Sequence, residues 1–570
     1  MMKYIYAVLT VATTISALSQ AAPYAISPDS IHQHIAVLAA DSLEGRQVGE
    51  PGEWKAAQYI ASVMRGAGLE PMGDDGSYFQ SFDFVKAIDF GPSNRLTLNG
   101  VSLALKSEFL PLRQSASVSF SFDEVVAVDY GITIAEDEGD YDDYDGKDVS
   151  GKAVLIKRFA PSAEDNPHVD FDKYTSLTEK IRGALEHKAA AVIFITPSDK
   201  DDTLLGMRPT NVNPKDIPIV FLRRAALEKL GLEVDKPQLA SISGEVDLVK
   251  TRDTAQNVIG ALSSKSDTVM IMGAHYDHLG WGASGSLYAG NEPAIHNGAD
   301  DNASGTASML ELARFYSSRR DELKYSLVFV AFTGEEAGLL GSSHFVRSEA
   351  VDSSRIRMMV NMDMVGRLAD HEEGLAVFGT GTCLEFKSYF DSLKHDDLKI
   401  VFREPGTGPS DHTPFYNRGV PVLHLFTGAH KDYHKPSDDV ETIDFKGTAA
   451  VASFVSEVIT HFDKYDGSLT FQKTKDPNAG KRRSQFSVSL GVMPDYIAEV
   501  KGLKIDGVTP ARPAERAGII EGDIVVRLGN LDIGDIYDYM NALGKFRKGD
   551  SITVVVLRGD KTLELPLVFE

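Results

Sequence analysis

Five residues of the types that bind metals follow one another along this chain, and each stands where an apolar run ends. In chain order they are His275, Asp301, Glu336, Asp363 and His434. Two imidazoles and three carboxylates can hold a pair of divalent ions, which is more than one tetrahedral catalytic site requires. Glu335 stands beside this set and remains free to move protons. The pattern therefore predicts a site for metal-assisted hydrolysis.

Four short apolar runs rich in β-forming residues predict strands buried on both faces, because they show no polar alternation. The runs are Asp267–Met272, Tyr325–Phe332, Ile356–Met362 and Pro421–Phe426. Helical patterns such as Gly305–Ser318 lie between them, so we expect an α/β fold with a mixed, largely parallel sheet and flanking helices. Ligands of such sheets bind beyond the carboxyl ends of the strands. His275, Glu336 and Asp363 fall at or just past such ends, which predicts that they meet at one rim.

The motifs around these residues resemble those of the co-catalytic zinc aminopeptidases of peptidase family 28. The matching segments are His275–Asp277, Gly298–Gly305, Gly334–Ser342, Asn361–Met364, Ser410–His412 and Tyr433–His434, and Leu43–Arg46 with Gly49 and Gly52 resembles the family's amino-terminal segment. The resemblance covers roughly residues 25–95 and 250–463. Five ligand types recurring in a fixed order make the combined match specific, whereas each motif alone would be weak. The resemblance implies the zinc aminopeptidase fold.

The resemblance also implies a ligand arrangement with two Zn²⁺ ions per chain. Asp301 would bridge both ions. Glu336 and His434 would complete one site, and His275 and Asp363 would complete the other. All five ligand positions match the family pattern.

Three further residues receive catalytic roles from the same resemblance. Glu335 would be the general base, since it precedes a ligand and its own carboxylate stays free. Asp277 resembles a carboxylate that orients a ligand histidine, here His275. Tyr433 matches a tyrosine that helps to stabilise the tetrahedral intermediate in some members. His412 is expected to support the site without binding metal.

The predicted function is hydrolysis of the N-terminal residue of peptides by metal-activated water. A carboxypeptidase or a glutaminyl cyclase on the same fold shares most of these ligands, so that alternative stays open. A receptor-like binding protein of this fold is expected to lack ligands, and all five are present here. Metal content and turnover of aminoacyl substrates would separate the three.

Other histidines are expected at the surface, without a role at the site. They are His32, His34, His187, His371 and His395.

A chain of 570 residues is too long for one core, so several domains are expected. Residues 22–100 and 251–463 form the predicted catalytic domain, interrupted by an insert at 101–250. Within the insert, strands at Gly151–Ile156, Ala189–Ile195 and Ile217–Leu222 and a helix at Ser176–His187 resemble the protease-associated domain, which is β-rich. The alternative is a generic α/β insert that does not contact the site.

Residues 464–484 are polar and predict a linker. Residues 485–570 resemble a PDZ domain of the bacterial protease type, with Ser489–Val492 as the carboxylate-binding loop and Asp535–Leu543 as the helical wall of the groove. Such a groove can bind a peptide or protein C-terminus as an added strand. The alternative is a PDZ-like fold used only for packing.

The amino terminus predicts export. Residues 1–21 combine Lys3 with a short apolar run and small residues near Ala21, which is typical of a signal peptide. An uncleaved anchor is the alternative, but the apolar run is short, so we expect no stable membrane span. A single cysteine, Cys383, excludes an internal disulfide. A periplasmic or secreted bacterial protein fits these features.

The balance of charge limits the partners. With 58 basic and 82 acidic residues, the net charge is −24. Such a charge argues against nucleic acid or an anionic membrane as a partner, since both are polyanionic. Peptide substrates are the expected partners.

Overall fold

The computed structural model describes residues 24–134, 141–161, 171, 174–202, 215–288, 290, 292–371, 373–393, 398–474, 488–494, 500–508, 512–534, 536–543, 545–559 and 561–569. The predicted signal peptide, residues 1–21, lies outside these ranges. Within them, every helix is too short or too polar to cross a membrane.

A mixed sheet of nine strands forms the centre of the largest part of the chain that the structure describes. Its strands, in spatial order, are Glu70–Pro71, Leu248–Leu262, Ser326–Phe332, Val269–His275, Ile356–Met362, Val422–Phe426, Leu375–Phe378 and Ile400–Arg403, and Phe79–Phe90 also pairs with Leu248–Leu262. The central strands Ser326–Phe332, Val269–His275, Ile356–Met362 and Val422–Phe426 run parallel. Antiparallel strands flank them on both sides. The predicted α/β fold with a largely parallel sheet is confirmed.

Helices cover both faces of this sheet. They are Pro28–Leu38, Pro51–Gly66, Gly305–Ser317, Leu340–Arg347, Leu384–Ser392, His412–Tyr416 and Phe445–Lys464. Gly305–Ser317 is buried along almost its whole length and packs against the Val269–His275 strand and the Phe445–Lys464 helix. Apolar residues on nearly every side suit this position between the sheet and another helix.

The described residues of the insert form two sheets of four or more strands. One has the strands Phe109–Pro111, Ile219–Leu222, Ala191–Ile195, Ala153–Lys157 and Val125–Ala127, and the other has Val101–Leu103, Arg95–Leu98, Ile242–Glu245 and Ser119–Phe122. A two-stranded ribbon, Thr133–Ile134 with Tyr141–Asp142, and the helices Leu177–Glu186 and Arg224–Lys229 complete it. The expected boundary at residue 100 falls inside the hairpin of Arg95–Leu98 and Val101–Leu103. We propose that the insert begins before Arg95.

The segment predicted as a linker starts inside a helix, since Phe445–Lys464 is helical to its last residue. Leu469 and Phe471 then pack against the catalytic core. The main-chain N–H of Thr474 donates to the Tyr416 hydroxyl at 2.8 Å. The beginning of the expected linker is therefore attached to the catalytic part, and residues 475–484 lie outside the described residues.

The carboxy-terminal part has its own sheet and core. The strands are Val492–Pro494, Leu503–Val508, Ile524–Leu528, Leu531–Asp532, Ser551–Arg558 and Lys561–Val568, and the helices are Pro513–Ala517 and Ile536–Leu543. A separate apolar cluster that includes Leu490, Ile505, Val525 and Leu567 fills its interior. The helix predicted at Asp535–Leu543 is present as Ile536–Leu543.

Candidate metal centre

Parallel pairing brings three candidate ligand positions to one edge of the central sheet. His275 ends its strand and pairs with Phe332, the last residue of the neighbouring strand. Glu336 lies in the short turn after that neighbouring strand, and Asp363 is the residue after the strand Ile356–Met362. Since parallel strands end on the same edge, all three side chains reach the same rim.

The candidate ligand atoms meet in two groups that share one carboxylate. His275 Nε2 lies 3.3 Å from Asp301 Oδ1 and 3.2 Å from Asp363 Oδ1. His434 Nε2 lies 3.2 Å from Asp301 Oδ2 and 3.3 Å from Glu336 Oε1. Zinc bonds of about 2.0–2.1 Å in tetrahedral geometry separate ligand atoms by about 3.3 Å. The residues therefore fit two ions, with one oxygen of Asp301 directed to each.

His278 also lies in this centre, although no sequence motif predicts a role for it. Together with Asp301 and Glu336 it forms one of two compact groups of potential ligands, and His275, Asp301 and Asp363 form the other. Its Nδ1 lies 2.9 Å from Glu336 Oε1. His278 follows His275 by three residues. Only the position of its ring in the folded loop identifies it as a potential ligand.

The electrostatics of the centre favour positive charge. Burial lowers the pKa of His434, but the carboxylates of Glu336 and Asp301 outweigh that effect and raise it to about 11. The pKa of His275 is shifted in the same direction as that of His434. Burial lowers it, but Asp363, Asp277 and Asp301 raise it well above the ordinary value. Burial and Asp301 raise the pKa of Glu336, yet the neighbouring imidazoles lower it to about 2. Buried carboxylates that stay ionised need cations beside them.

The residues expected to act in catalysis adjoin the two groups. The Glu335 main-chain N–H donates to Asp277 Oδ1 at 3.1 Å. His275 Nδ1 contacts the main-chain oxygen of Asp277 at 3.1 Å, whereas the Asp277 carboxylate is 3.7 Å away. Asp277 thus contacts His275 through its main chain and accepts a hydrogen bond from the Glu335 main chain through its side chain. The Tyr433 ring stacks on His434 with 3.9 Å between the ring centroids.

Arg46 holds together the loops that carry the candidate ligands. Its guanidinium is fully buried and donates to main-chain oxygens of four residues, namely Leu38, Tyr276, Asn297 and Gly298. The bonds to Tyr276 and Asn297 measure 2.6 Å each. One arginine therefore joins the loop after His275 to the loop before Asp301. Arg46 belongs to the motif Leu43–Arg46, but that motif does not by itself predict what the side chain contacts.

A second set of buried groups supports Asp301 and Asp363. Asp438 accepts hydrogen bonds from the main-chain N–H groups of Asp300 and Asp301 at 3.1 Å. The Ser410 hydroxyl donates to Asp363 Oδ2 at 2.7 Å. His412 is buried and stacks on His424, with 4.4 Å between their centroids. It lies outside both groups of potential ligands.

The surface prediction for the other histidines is wrong in part. His34 is buried and its Nε2 contacts Glu311 at 3.2 Å, and His371 is buried against the loop at Gly428. His187 is half-buried and stacks on Tyr144. His32 is exposed, as predicted. His395 lies outside the described residues.

Comparison with known families gives a match for each of three parts of the chain. Residues 257–459 match the model of peptidase family M28, residues 122–230 match the PA domain and residues 469–567 match the PDZ domain. The chain therefore carries an M28 peptidase domain together with a PA domain and a PDZ domain. This confirms the family resemblance, the protease-associated insert and the carboxy-terminal domain.

Two curated proteins and one solved structure are similar to parts of this chain. Aminopeptidase YwaD of Bacillus subtilis (strain 168) is 29% identical over 312 residues, which are 52% of this chain and 59% of the relative. Leupeptin-inactivating enzyme 1 of Streptomyces exfoliatus is 33% identical over 172 residues, which are 30% of this chain and 34% of that enzyme. This chain thus spans less than two thirds of either relative. A solved aminopeptidase from Aneurinibacillus sp. strain AM-1 is 23% identical, with 79% of this chain and 96% of that one covered and a TM-score of 0.46.

Proposed function

We propose that this chain is a di-zinc aminopeptidase that removes the N-terminal residue of peptides. The observation that carries the proposal is the convergence of two imidazoles and three carboxylates. One oxygen of Asp301 contacts the first group, and its other oxygen contacts the second. The M28 family match supports a peptidase. The name of the Bacillus subtilis relative supports an aminopeptidase.

The contacts between the proposed ligands assign each of them to one of two ions, and Asp301 to both. His275, Asp301 and Asp363 would hold one zinc ion, and Asp301, Glu336 and His434 would hold the other. Zinc held there would supply activation of water and polarisation of a carbonyl. The remaining steps fall to the residues of the chain.

Glu335 is the proposed general base. It takes a proton from the attacking water and passes it to the leaving amine. Burial and the carboxylates of Asp363, Glu336 and Asp411 raise its pKa well above the ordinary value, although His275 opposes them. A carboxylate with a raised pKa is a stronger base once it is ionised. The Tyr433 hydroxyl, held next to the centre by stacking on His434, would donate to the oxyanion of the tetrahedral intermediate.

The location and the partner of the PDZ domain belong to the same proposal. We infer export to the periplasm or beyond, after cleavage of residues 1–21. The carboxylate-binding loop contains Gly491 at a φ of 76°. The Ser489 hydroxyl accepts from the Gly491 N–H at 3.0 Å. Main-chain N–H groups of such a loop would bind the C-terminal carboxylate of a peptide or protein.

The test compares free and blocked substrates with the zinc-loaded full-length protein. Leucine p-nitroanilide should be hydrolysed, and its N-acetylated form should react far more slowly. A peptide that begins with glutamine separates the alternative, because a glutaminyl cyclase releases ammonia and retains every residue. Equal rates on free and blocked substrates, or release of residues from the carboxyl end, would refute the proposal.

A further inference from the structure

His278 is a buried imidazole that the family pattern leaves without a role. It is 1% exposed. Its Nδ1 lies 2.9 Å from Glu336 Oε1 and 3.8 Å from Asp301 Oδ2. Its ring centroid lies 5.7 Å from that of His434. The ring therefore faces the same pair of carboxylates that His434 faces.

The contact between His278 Nδ1 and Glu336 Oε1 is a close ion pair that lacks regular hydrogen-bond geometry. Among the described residues, neither His278 Nδ1 nor Glu336 Oε1 has a hydrogen-bond partner, despite their separation of 2.9 Å. Buried polar atoms without partners are rare, because each one costs about 1–3 kcal/mol. Two such atoms side by side are explained if both direct lone pairs at a cation. A separation of about 2.9 Å is what zinc bonds of about 2.0–2.1 Å give when they meet at a right angle.

We propose that His278 is a further protein ligand of the zinc ion held by Asp301 Oδ2, Glu336 and His434. This inference rests on the proposed metal centre and adds an asymmetry to it. Four side chains then surround one ion, and three, from His275, Asp301 and Asp363, surround the other. The two ions then have unequal numbers of protein ligands.

The asymmetry predicts two unequal binding steps. The four-ligand site gains an additional imidazole and should fill first when zinc is added to the metal-free protein. It also fixes Asp301, the carboxylate that both sites share. The three-ligand site then fills second, with weaker affinity.

The experiment titrates the metal-free full-length chain with Zn²⁺ in competition with a chelator. Wild type should show two steps. His278→Ala should weaken the tighter step by more than about 100-fold, the upper range for loss of a residue that only supports a ligand. It should leave the weaker step within a few-fold. His296→Ala is the matched control, since His296 is a buried imidazole whose nitrogens contact Ser286 Oγ at 2.8 Å and the Ala294 oxygen at 2.9 Å.

A second variant separates a ligand from a positioning group. In His278→Asp, a carboxylate oxygen stands the same number of bonds from the main chain as Nδ1. If residue 278 binds the ion, the Asp variant should bind zinc more tightly at this step than the Ala variant. If His278 only positions Glu336, the new carboxylate repels Glu336 and the Asp variant should bind more weakly than the Ala variant.

X-ray absorption of wild type with one equivalent of zinc gives a measurement without any substitution. Two imidazoles around the first ion support the inference, and one imidazole overturns it. Wild-type affinities in a folded His278→Ala protein would overturn it as well. A wild type that binds two ions in this manner but cleaves no free-amino peptide would refute the proposed function and leave this inference standing.

Discussion

At the scale of single residues, the centre depends on a small number of contacts that sequence motifs indicate only in part. His275, Glu336 and Asp363 could be expected at one site because each follows an apolar strand that ends at the same sheet edge, whereas Asp301 and His434 were expected there from the family resemblance. His278 and Arg46 could not be predicted in the same way. Their roles depend on how two loops fold back on each other, and no local pattern of residue types encodes the direction of a loop side chain.

The division of labour between the neighbouring glutamates gives the first prediction. Glu335→Gln keeps the size of the side chain but cannot accept a proton. Zinc should stay bound at near-normal occupancy, and kcat should fall by about 10²–10⁴-fold, the usual contribution of a positioned base. KM should change much less, since the lost interaction belongs to the transition state. Steady-state kinetics and elemental analysis of the same preparation check both parts.

Glu336→Gln is the companion variant and should differ in kind. It removes a proposed ligand, so metal should be lost from one site and activity should fall with it. A fully active Glu335→Gln enzyme, or one without zinc, would mean that the two roles are assigned wrongly.

Arg46 gives a second prediction at this scale. Arg46→Met removes the donor to four buried main-chain oxygens. Each unsatisfied oxygen costs about 1–3 kcal/mol, so the melting temperature of the metal-free protein should fall by several degrees or more. Zinc affinity should fall too, because the loops that carry His275 and Asp301 lose their connection. Calorimetry and chelator competition measure the two effects.

Arg46→Lys is the control for charge. It keeps the cation but cannot reach all four oxygens, so it should recover stability only in part. A methionine variant with unchanged zinc affinity would show that Arg46 stabilises the fold without positioning the ligands.

At the scale of elements, the four predicted strands of the catalytic sheet lie within three residues of their predicted ends. Val422–Phe426 was expected as Pro421–Phe426, and Ile356–Met362 coincides with the expected run. Local apolar composition was sufficient there, because strands buried on both faces leave an unbroken apolar pattern. The strand pairing of the insert was harder to predict, because Arg95–Leu98 pairs with Ile242–Glu245, which lies far along the chain. Pairing over such a separation leaves no local signal.

The insert also contains a buried lysine, which gives a prediction about pH. Lys180, on the helix Leu177–Glu186, is 1% exposed, and burial lowers its pKa from 10.5 to about 7 although Asp143 opposes this. Between pH 7 and 10.5 the unfolded chain therefore binds one more proton than the folded chain. The free energy of unfolding of the insert should rise with pH across that window, by at most about 1.4 kcal/mol per pH unit.

Lys180→Met isolates this effect from all other titrations. The unfolding free energy of wild type minus that of the variant should increase from pH 7 toward pH 10. Hydrogen exchange of the insert strands in the full-length protein measures it. A difference that stays constant with pH would mean that the folded insert binds the lysine in its charged form.

At the scale of the whole molecule, the proposed centre lies entirely within the catalytic domain. Every proposed ligand precedes the helix Phe445–Lys464, and the PDZ part has its own apolar core. One contact between the two parts is the ion pair of Lys504 with Glu373 at 2.8 Å, and both side chains are partly exposed. Exposed ion pairs contribute little, about 0–1 kcal/mol.

Deletion of residues 485–570 should therefore leave zinc content and cleavage of leucine p-nitroanilide nearly unchanged. The cut keeps Leu469 and Phe471, which pack against the catalytic core. Longer peptides, or a partner with a free carboxyl terminus, should be handled differently if the groove is used. Loss of zinc in the truncated protein would make the PDZ domain an integral part of the catalytic fold.

The central claim is that Asp301 joins two metal ions in one centre, and zinc stoichiometry tests it most directly. Elemental analysis of the fully loaded wild type should give two zinc ions per chain, and Asp301→Ala should lower the affinity of both. His434→Ala should chiefly weaken one. A wild type that binds a single ion at saturation would contradict the account and favour a mononuclear, cyclase-like enzyme on the same fold.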